Sequence, residues 1–318
     1  PIGFDDHVGP NVRVHDLDSF SDIKNNNANK RIMFDANSSN LWSYNIFHAG
    51  GYEIVKAQDV CSLPKACKND IEIFGMKNCH IRDGVAVSRF LFWIERQVES
   101  GHLLDEEQLA SKLDSLRTEL DLFKGPSFGT ISAAGSNAAM CHYSHKNSKV
   151  PGKLEMGSVY LVDSGGQYLD GTTDITRTVA IGEVSDEIKR SFTLVLKGHI
   201  SLGSAIFPKG TSGHQLDSLA RQYLWEYGLD YDHGTGHGVG HFLNVHEGPQ
   251  GVGKGGSNVP LEKGMVISNE PGYYLENGYG IRCENLVFVK KDETKSGSFL
   301  KFEDLTMTPF DKRLFDMD

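Results

Sequence analysis

The stretch VDSGGQYLDGTTDITRT, residues 162–178, constrains the fold more than any other part of the chain. The carboxylate of Asp163 ends a strongly apolar run, Val159–Val162. A short apolar run bounded by turn residues predicts a buried strand. A carboxylate at the end of a buried strand costs free energy unless another group compensates it. The chain must therefore bring a compensating charge to Asp163.

Two further aspartates lie in the same stretch, Asp170 and Asp174. Asp170-Gly171 is typical of a tight hairpin turn, so we predict a structural role for Asp170. Asp163 and Asp174 can share one site only if they face each other across neighbouring strands. A two-residue turn at Asp170-Gly171 would place Thr178 opposite Asp163. A shared site therefore requires an earlier turn, near Tyr168-Leu169, or a bulge at the glycine pair of the first strand.

Composition limits the functional classes. The chain has 318 residues, enough for one large domain or a domain with a fragment of another. Its net charge of −10 disfavours nucleic acid and anionic membrane surfaces as partners. It contains no apolar run of about 18 residues that would predict a transmembrane helix. Five cysteines without a CxxC pair favour a reducing, intracellular compartment. The first ten residues do not form a signal peptide, and we expect an internal start.

Hydrophobic periodicity predicts an α+β fold. Residues 1–66 look like part of an α/β unit, with strands at 11–17 and 31–37 around a polar loop at 24–30. Beyond them the order is helices, strands, helices, strands, which suggests two similar α/β halves. The predicted helices are 70–101, 105–123, 186–205 and 212–227, and the predicted strands lie in 128–136, 158–166, 174–182 and 265–289.

Chemically active residues lie near the ends of apolar strands throughout the second part of the chain. They are hard oxygen donors and one imidazole, which suit Mn²⁺, Zn²⁺, Co²⁺ or Fe²⁺. Four carboxylates with a neutral histidine would balance two divalent ions, and a pair of ions about 3.5–4 Å apart fits metal-assisted hydrolysis. The candidate ligands are Asp163, Asp174, His237, Glu270 and Glu284.

Each candidate also has a simpler interpretation. Asp163 could cap a turn, and Glu284 could pair with Arg282, which lies on the same face of its strand. His237 could be a hydrogen-bonded histidine in a glycine-rich loop. Together, five such residues at the ends of separate apolar strands favour a metal site.

The motifs DSGGQYLDGTTDITRT, HGTGHGVGHFLNVHEGP and NEPGYYLENGYGIRCEN resemble the pita-bread metallopeptidases, and among them the eukaryotic cytosolic Xaa-Pro aminopeptidases. The resemblance runs from about Ile71 to the end of the chain. It implies that residues 1–66 are the C-terminal part of a middle, creatinase-like α/β domain and that residues 67–318 are the catalytic pita-bread domain. It also implies two divalent metal ions, with Mn²⁺ favoured over Zn²⁺ or Co²⁺, a homodimer, a cytoplasmic location and a peptide substrate with proline at its second position.

The resemblance assigns a role to each ligand. Asp163 would bind one metal ion, Asp174 and Glu284 would bridge both ions, and His237 and Glu270 would bind the other. Glu270 would also accept the proton of the attacking water as a general base.

The resemblance also implies a set of substrate-binding residues: His142, His233, His246 and Arg282. His142 and His246 are the candidates for donors to the oxyanion that develops on the scissile carbonyl. Arg282 has a simpler interpretation, the orientation of a ligand by pairing with it.

The leading hypothesis is hydrolysis of the bond between an N-terminal residue and a following proline. A prolidase, which cuts only dipeptides, would share the metal site. A metal-free binding protein on the same fold belongs to a different class, and its relatives typically lose metal ligands that this chain retains. A methionine aminopeptidase is disfavoured by the long helices before the catalytic core and by the GTTDITRT context.

Overall fold

The computed structural model describes residues 7–25, 30–255, 257–294 and 296–317. The chain divides into two units, Pro1–Ser62 and Leu63–Asp318. Helices and strands are numbered below in chain order.

The described part of the first unit contains a parallel pair of short strands joined through an α-helix. β1 (Arg31–Phe34) pairs with β2 (Glu53–Lys56), and α1 (Leu41–Ala49) connects them. The strand predicted at 11–17 is wrong: residues 12–16 are irregular and a 3₁₀ helix, Leu17–Asn25, begins where the strand was expected to end. Val12 and Val14 are half exposed, so their alternation has no buried face to stabilise a strand. Residues 26–29 of the predicted polar loop lie outside the described part of the chain.

The second unit begins with α2 (Ser62–Ala66) and two long helices. α3 (Asp70–Glu99) starts at a capping box between Asn69 and Glu72 and ends before Gly101, as predicted. α4 (Glu106–Thr118) starts at a second capping box, formed by Asp105 and Gln108. It ends before the predicted limit at residue 123, because Leu122 has a positive φ of 66° and the next residue begins a strand.

Two three-stranded antiparallel sheets follow these helices. One has the order β4-β5-β8 and packs its apolar side chains against α3 and α4, where Phe90, Leu113 and Val162 share a core. The other, β3-β6-β7, extends the same hairpin. The strands are β3 (Phe123–Pro126), β4 (Ile131–Ala134), β5 (Ser158–Ser164), β6 (Gly166–Tyr168), β7 (Gly171–Thr172) and β8 (Ile175–Ile181).

The second half repeats the combination of two helices with sheets. α5 (Asp186–Gly203) and α6 (Gly213–Trp225) pack on each other and on a sheet of order β12-β15-β16-β9. The remaining strands form two separate antiparallel pairs, β10-β11 and β13-β14. The strands are β9 (Ile206–Pro208), β10 (Gly236–His237), β11 (Gly251–Val252), β12 (Val266–Asn269), β13 (Gly272–Leu275), β14 (Tyr279–Arg282), β15 (Asn285–Lys291) and β16 (Phe299–Asp304). The predicted α+β class is confirmed.

None of the described helices has the length and apolar character of a transmembrane span.

A buried arginine joins the two halves of this unit. Arg177, on β8, is 1% exposed, and all its N–H groups donate to neutral oxygens of the chain. Its Nη1 donates to the carbonyl oxygen of Glu284 (2.5 Å) and its Nη2 to that of Thr308 (2.6 Å). The guanidinium carbon lies 4.0 Å from the centre of the Phe310 ring. Burial lowers the pKa of Arg177 to about 10. Arg177 therefore holds the backbone of Glu284 next to β8.

Replacement of Arg177 by methionine is expected to lower the free energy of unfolding by about 3–5 kcal/mol, because it leaves several buried carbonyl oxygens without donors. For a unit of this size the melting temperature should fall by about 6–20 °C, which calorimetry would measure. Arg89→Met is the matched control, since the ion pair of Arg89 with Glu119 is half exposed and should contribute less than about 1 kcal/mol. Equal effects of the two substitutions would contradict this role of Arg177.

Candidate metal centre

The five candidate ligands converge on one pocket of about 300 Å³. Asp163 lies within β5 and Asp174 directly precedes β8, whereas His237 ends β10. Glu270 follows β12, and Glu284 lies between β14 and β15. The same pocket is lined by the four candidate substrate-binding residues, His142, His233, His246 and Arg282.

The hairpin that carries the first two aspartates turns at Leu169-Asp170, one residue before the predicted Asp170-Gly171 turn. Its register places Thr176 opposite Asp163, where a turn at Asp170-Gly171 would have placed Thr178. Asp174 is two residues from Thr176, so it lies on the same face as Asp163 and diagonal to it. The expectation that the two aspartates must lie directly opposite was too strict, since diagonal neighbours can also share a site.

Three donor atoms form the centre of the pocket. Single ligand atoms of Asp174, His237 and Glu284 all lie within 4.8 Å of one another. His237 Nε2 is 3.4 Å from Asp174 Oδ2 and 3.4 Å from Glu270 Oε1. The other ring nitrogen, Nδ1, lies 3.0 Å from the carbonyl oxygen of Gly238, which can only accept a hydrogen bond. Nδ1 therefore carries a proton, and Nε2 is the nitrogen that faces the carboxylates.

The electrostatics of the pocket are those of a cation site. Burial, reinforced by neighbouring carboxylates, raises the pKa of Asp174 to about 7 and that of Glu284 well above its usual value. Burial also raises the pKa of Glu270. Burial would lower the pKa of His237, but the hydrogen bond to Asp174 and the charge of Glu270 outweigh it and raise this pKa to about 9. These carboxylates favour a positive charge in the pocket.

One guanidinium faces the four carboxylates. Arg282 Nη2 donates to Asp163 Oδ2 at 2.6 Å, so the ion pair of Arg282 is with Asp163. Arg282 does not pair directly with Glu284 in the described structure; the hydroxyl of Thr176 lies between them and contacts both side chains. Asp163 Oδ1 is buried and has no hydrogen-bond partner within the described residues. An unpartnered buried carboxylate oxygen is costly unless a cation binds it. The oxygen and imidazole donors present therefore fit divalent metal ions.

Sequence reasoning missed residues that hold the candidate ligands in place. Thr176 Oγ1 donates to Glu284 Oε2 (2.6 Å) and accepts from Arg282 Nε (3.0 Å). Ser268 Oγ donates to Glu270 Oε1 (2.8 Å). Thr176 and Ser268 each lie two positions from a ligand, on the same face of its strand. That spacing was the available signal for them.

Tyr274 is a further residue that the sequence did not reveal. Its oxygen accepts from Arg282 Nη1 at 2.8 Å and its hydroxyl lies 2.8 Å from His233 Nε2. Arginine only donates, so the tyrosine proton is donated to His233 Nε2. His233 Nδ1 in turn donates to the carbonyl oxygen of Gly234 (2.8 Å). Burial lowers the pKa of His233 to about 4, so the ring is neutral and both its nitrogens are engaged.

The other two histidines are free to contact a ligand. The rings of His142 and His246 have no hydrogen-bond partner among the described residues, and both residues are exposed at the pocket. The ring of His246 lies edge-on to that of His237, with 4.3 Å between their centres. Burial lowers the pKa of His246. Apolar side chains of Phe128 and Ile131 complete the wall beside them, together with Cys141.

Comparisons with a family model and with curated proteins indicate the same family. The family model described as metallopeptidase family M24 matches residues 75–291. A probable Xaa-Pro aminopeptidase P of Laccaria bicolor is 50% identical over 259 residues, which cover 80% of this chain and 40% of that protein. A protein of the same description from Talaromyces marneffei is 46% identical over 325 residues, covering 98% of this chain and 49% of that protein.

Solved structures are similar as well. The X-prolyl aminopeptidase of Caenorhabditis elegans, described as a cytosolic enzyme with a di-nuclear active site, has a TM-score of 0.80 and 36% identity, covering 91% of this chain and 55% of that one. An Xaa-Pro dipeptidase from Bacillus anthracis has a TM-score of 0.74 and 27% identity, covering 89% of this chain and 74% of that one. The chain spans about half the length of the curated relatives it matches.

Proposed function

This chain belongs to metallopeptidase family M24, and we propose that it is the catalytic part of a dinuclear, metal-dependent Xaa-Pro aminopeptidase. The pita-bread fold expected from the sequence motifs is confirmed by the family match and by the solved structures.

One observation carries the proposal. Donor atoms of Asp174, His237 and Glu284 lie within 4.8 Å of one another, in a pocket that Asp163 and Glu270 also line. We infer that these five residues hold two divalent ions, with Mn²⁺ as the native metal. Bound divalent ions supply Lewis-acid chemistry, since they polarise a carbonyl and lower the pKa of water.

Glu270 is the proposed general base. Its Oε1 is held by the hydroxyl of Ser268 at 2.8 Å, which leaves Oε2 to accept the proton of the attacking water. The same carboxyl can then donate that proton to the nitrogen of the leaving proline.

The remaining pocket residues contact the substrate or orient a metal ligand. His142 and His246 have free ring nitrogens and are placed to donate to the scissile carbonyl as negative charge develops on its oxygen. His233 has both nitrogens engaged, so it offers the substrate a neutral ring surface. Arg282 holds Asp163 through a 2.6 Å ion pair and acts by orienting that ligand.

Further properties of the whole protein follow from its relatives and are part of the same proposal. The C. elegans enzyme is described as cytosolic, and we propose a cytoplasmic location and a homodimer here. We propose that residues 1–66 are the C-terminal part of a middle, creatinase-like α/β domain and residues 67–318 the catalytic domain.

The purified chain with Mn²⁺ is expected to release the first residue from tripeptides and longer peptides with proline at the second position, because only one residue then lies on the amine side of the cut. Mass spectrometry of the products would measure this. A peptide with alanine at the second position is the control and should be cut at least tenfold more slowly. Cleavage of Xaa-Pro dipeptides alone would show a prolidase, as the similarity to the B. anthracis dipeptidase allows.

A further inference from the structure

A second cavity, of about 470 Å³, adjoins the metal-centre pocket. It is lined by Ser127, Gln167 and the loop residues 242–246. His246 lines both cavities. A molecule bound at the metal centre can therefore extend past His246 into this second space.

The walls of the second cavity are held by the aspartate hairpin. Gln167 Nε2 donates to the carbonyl oxygen of Leu243 at 2.6 Å. Thr172 Oγ1 donates to Gln167 Oε1 at 2.7 Å and lies 3.2 Å from the same Leu243 oxygen. Phe242 reverses the chain with a φ of 57°, a conformation that non-glycine residues seldom adopt. The loop is thus fixed to β6 and β7 while the cavity beside it stays open.

The chemistry of this cavity suits an uncharged chain. None of its seven lining residues carries a carboxylate, an ammonium or a guanidinium group. Leu243 is 54% exposed there. Asn244 is also exposed, and its side-chain amide has no hydrogen-bond partner in the described part of the chain. An asparagine amide both donates and accepts, as a peptide group does, so Asn244 can bind the main chain of an extended peptide.

The charges of the two cavities indicate which part of a peptide the second cavity binds. The free ammonium of an aminopeptidase substrate requires negative charge; the metal-centre pocket holds four carboxylates and the second cavity has none. An aminopeptidase keeps a single residue on the amine side, so any longer segment must lie on the leaving side. We infer that the second cavity binds the residues that follow the proline, and that the side chain of Asn244 recognises their main chain. This inference rests on the function proposed above.

The test is a series of peptides of increasing length: Xaa-prolinamide, then Xaa-Pro followed by one, two and four residues. The wild-type kcat/KM is expected to rise along the series as the second cavity becomes occupied. Asn244→Ala should lower kcat/KM about five- to tenfold for the longer peptides, the loss of one or two hydrogen bonds, and leave the prolinamide within twofold. Asn244→Trp, which fills the cavity, should remove the length dependence altogether.

Asn147→Ala is the matched control, since Asn147 is also exposed and lines neither cavity; it should behave as wild type on every substrate. A flat wild-type series, or equal losses for the Asn244 variants on all substrates including the prolinamide, would overturn the inference. If the wild-type chain cuts matching peptides with alanine in place of the proline at the same rate as the series, the proposed function fails separately. If it cuts none of the series, both proposals fall.

Discussion

Replacement of Glu270 by glutamine is expected to lower kcat by about 10²–10⁴-fold, the range found when a general base is removed. Glutamine keeps the size of the side chain and can still accept the 2.8 Å hydrogen bond from Ser268. Its amide cannot take a proton from water at the position of Oε2. Steady-state rates on a proline-containing tripeptide at saturating Mn²⁺ would measure the loss.

Glu270 has two proposed roles, so the experiment must separate them. Metal content measured on the same Glu270→Gln preparation distinguishes a lost base from a lost ligand: if two ions per chain remain, the rate loss belongs to proton transfer. A Glu270→Gln protein that keeps its metal and retains more than a tenth of the wild-type kcat would contradict the assignment of the base.

Asp170→Asn is the matched control in the same hairpin. Asp170 accepts a hydrogen bond from Arg82 at 2.5 Å, with about a quarter of each side chain exposed, and it does not line the pocket. A partly exposed ion pair of this kind contributes on the order of 1 kcal/mol or less, so we expect a kcat within about twofold of wild type. An inactive Asp170→Asn variant would show that the three aspartates have been assigned wrongly.

The candidate ligand positions stand out in the sequence because their signal is local. An acid at the end of an apolar run, as at Asp163, is visible within a few residues, and its burial demands a partner. The sequence therefore predicted which side chains could form the centre, and the fold places them in one pocket.

The turn of the hairpin could not be predicted, because its glycine serves tertiary packing. A Cβ atom on Gly171 would lie 2.5 Å from Cys79 Sγ on α3. Gly75, also on α3, is required for a similar reason, since its Cβ would lie 2.3 Å from the carbonyl oxygen of Asp170. The close contact between α3 and the hairpin therefore requires glycine at position 171, whatever the turn preference of the Asp-Gly pair. Such a contact is absent from the local pattern on which the Asp-Gly prediction depended.

The hydrogen bonds around the candidate ligands could not be predicted either, because they also depend on tertiary contacts. Tyr274 comes within 2.8 Å of both Arg282 and His233 only after β13 and β14 pair and the loop before β10 folds over them. No spacing in the sequence relates residues on three separate segments, so the neutral state of His233 could be read only from the assembled site.

Removal of divalent metal by a chelator is expected to abolish activity and to lower the melting temperature of the chain. Four carboxylates share the pocket with one guanidinium, and Asp163 Oδ1 has no partner in the described structure. Ions that bind only the folded state stabilise it by about 4 kcal/mol at a thousandfold excess over Kd. For a unit of this size that corresponds to a shift of about 8–16 °C.

Calorimetry of chelated protein during titration with Mn²⁺, combined with metal analysis, would measure both the shift and the stoichiometry. Two ions per chain are expected, and Asp170→Asn should show the same shift as wild type because it lies outside the pocket. Glu284→Gln removes one charge at the centre of the cluster and should reduce the shift by several degrees, which ties the stabilisation to this pocket. Fewer than one ion per chain at saturating Mn²⁺ would instead favour a metal-free binding protein on the same fold, since the buried carboxylates would then be balanced by protons alone.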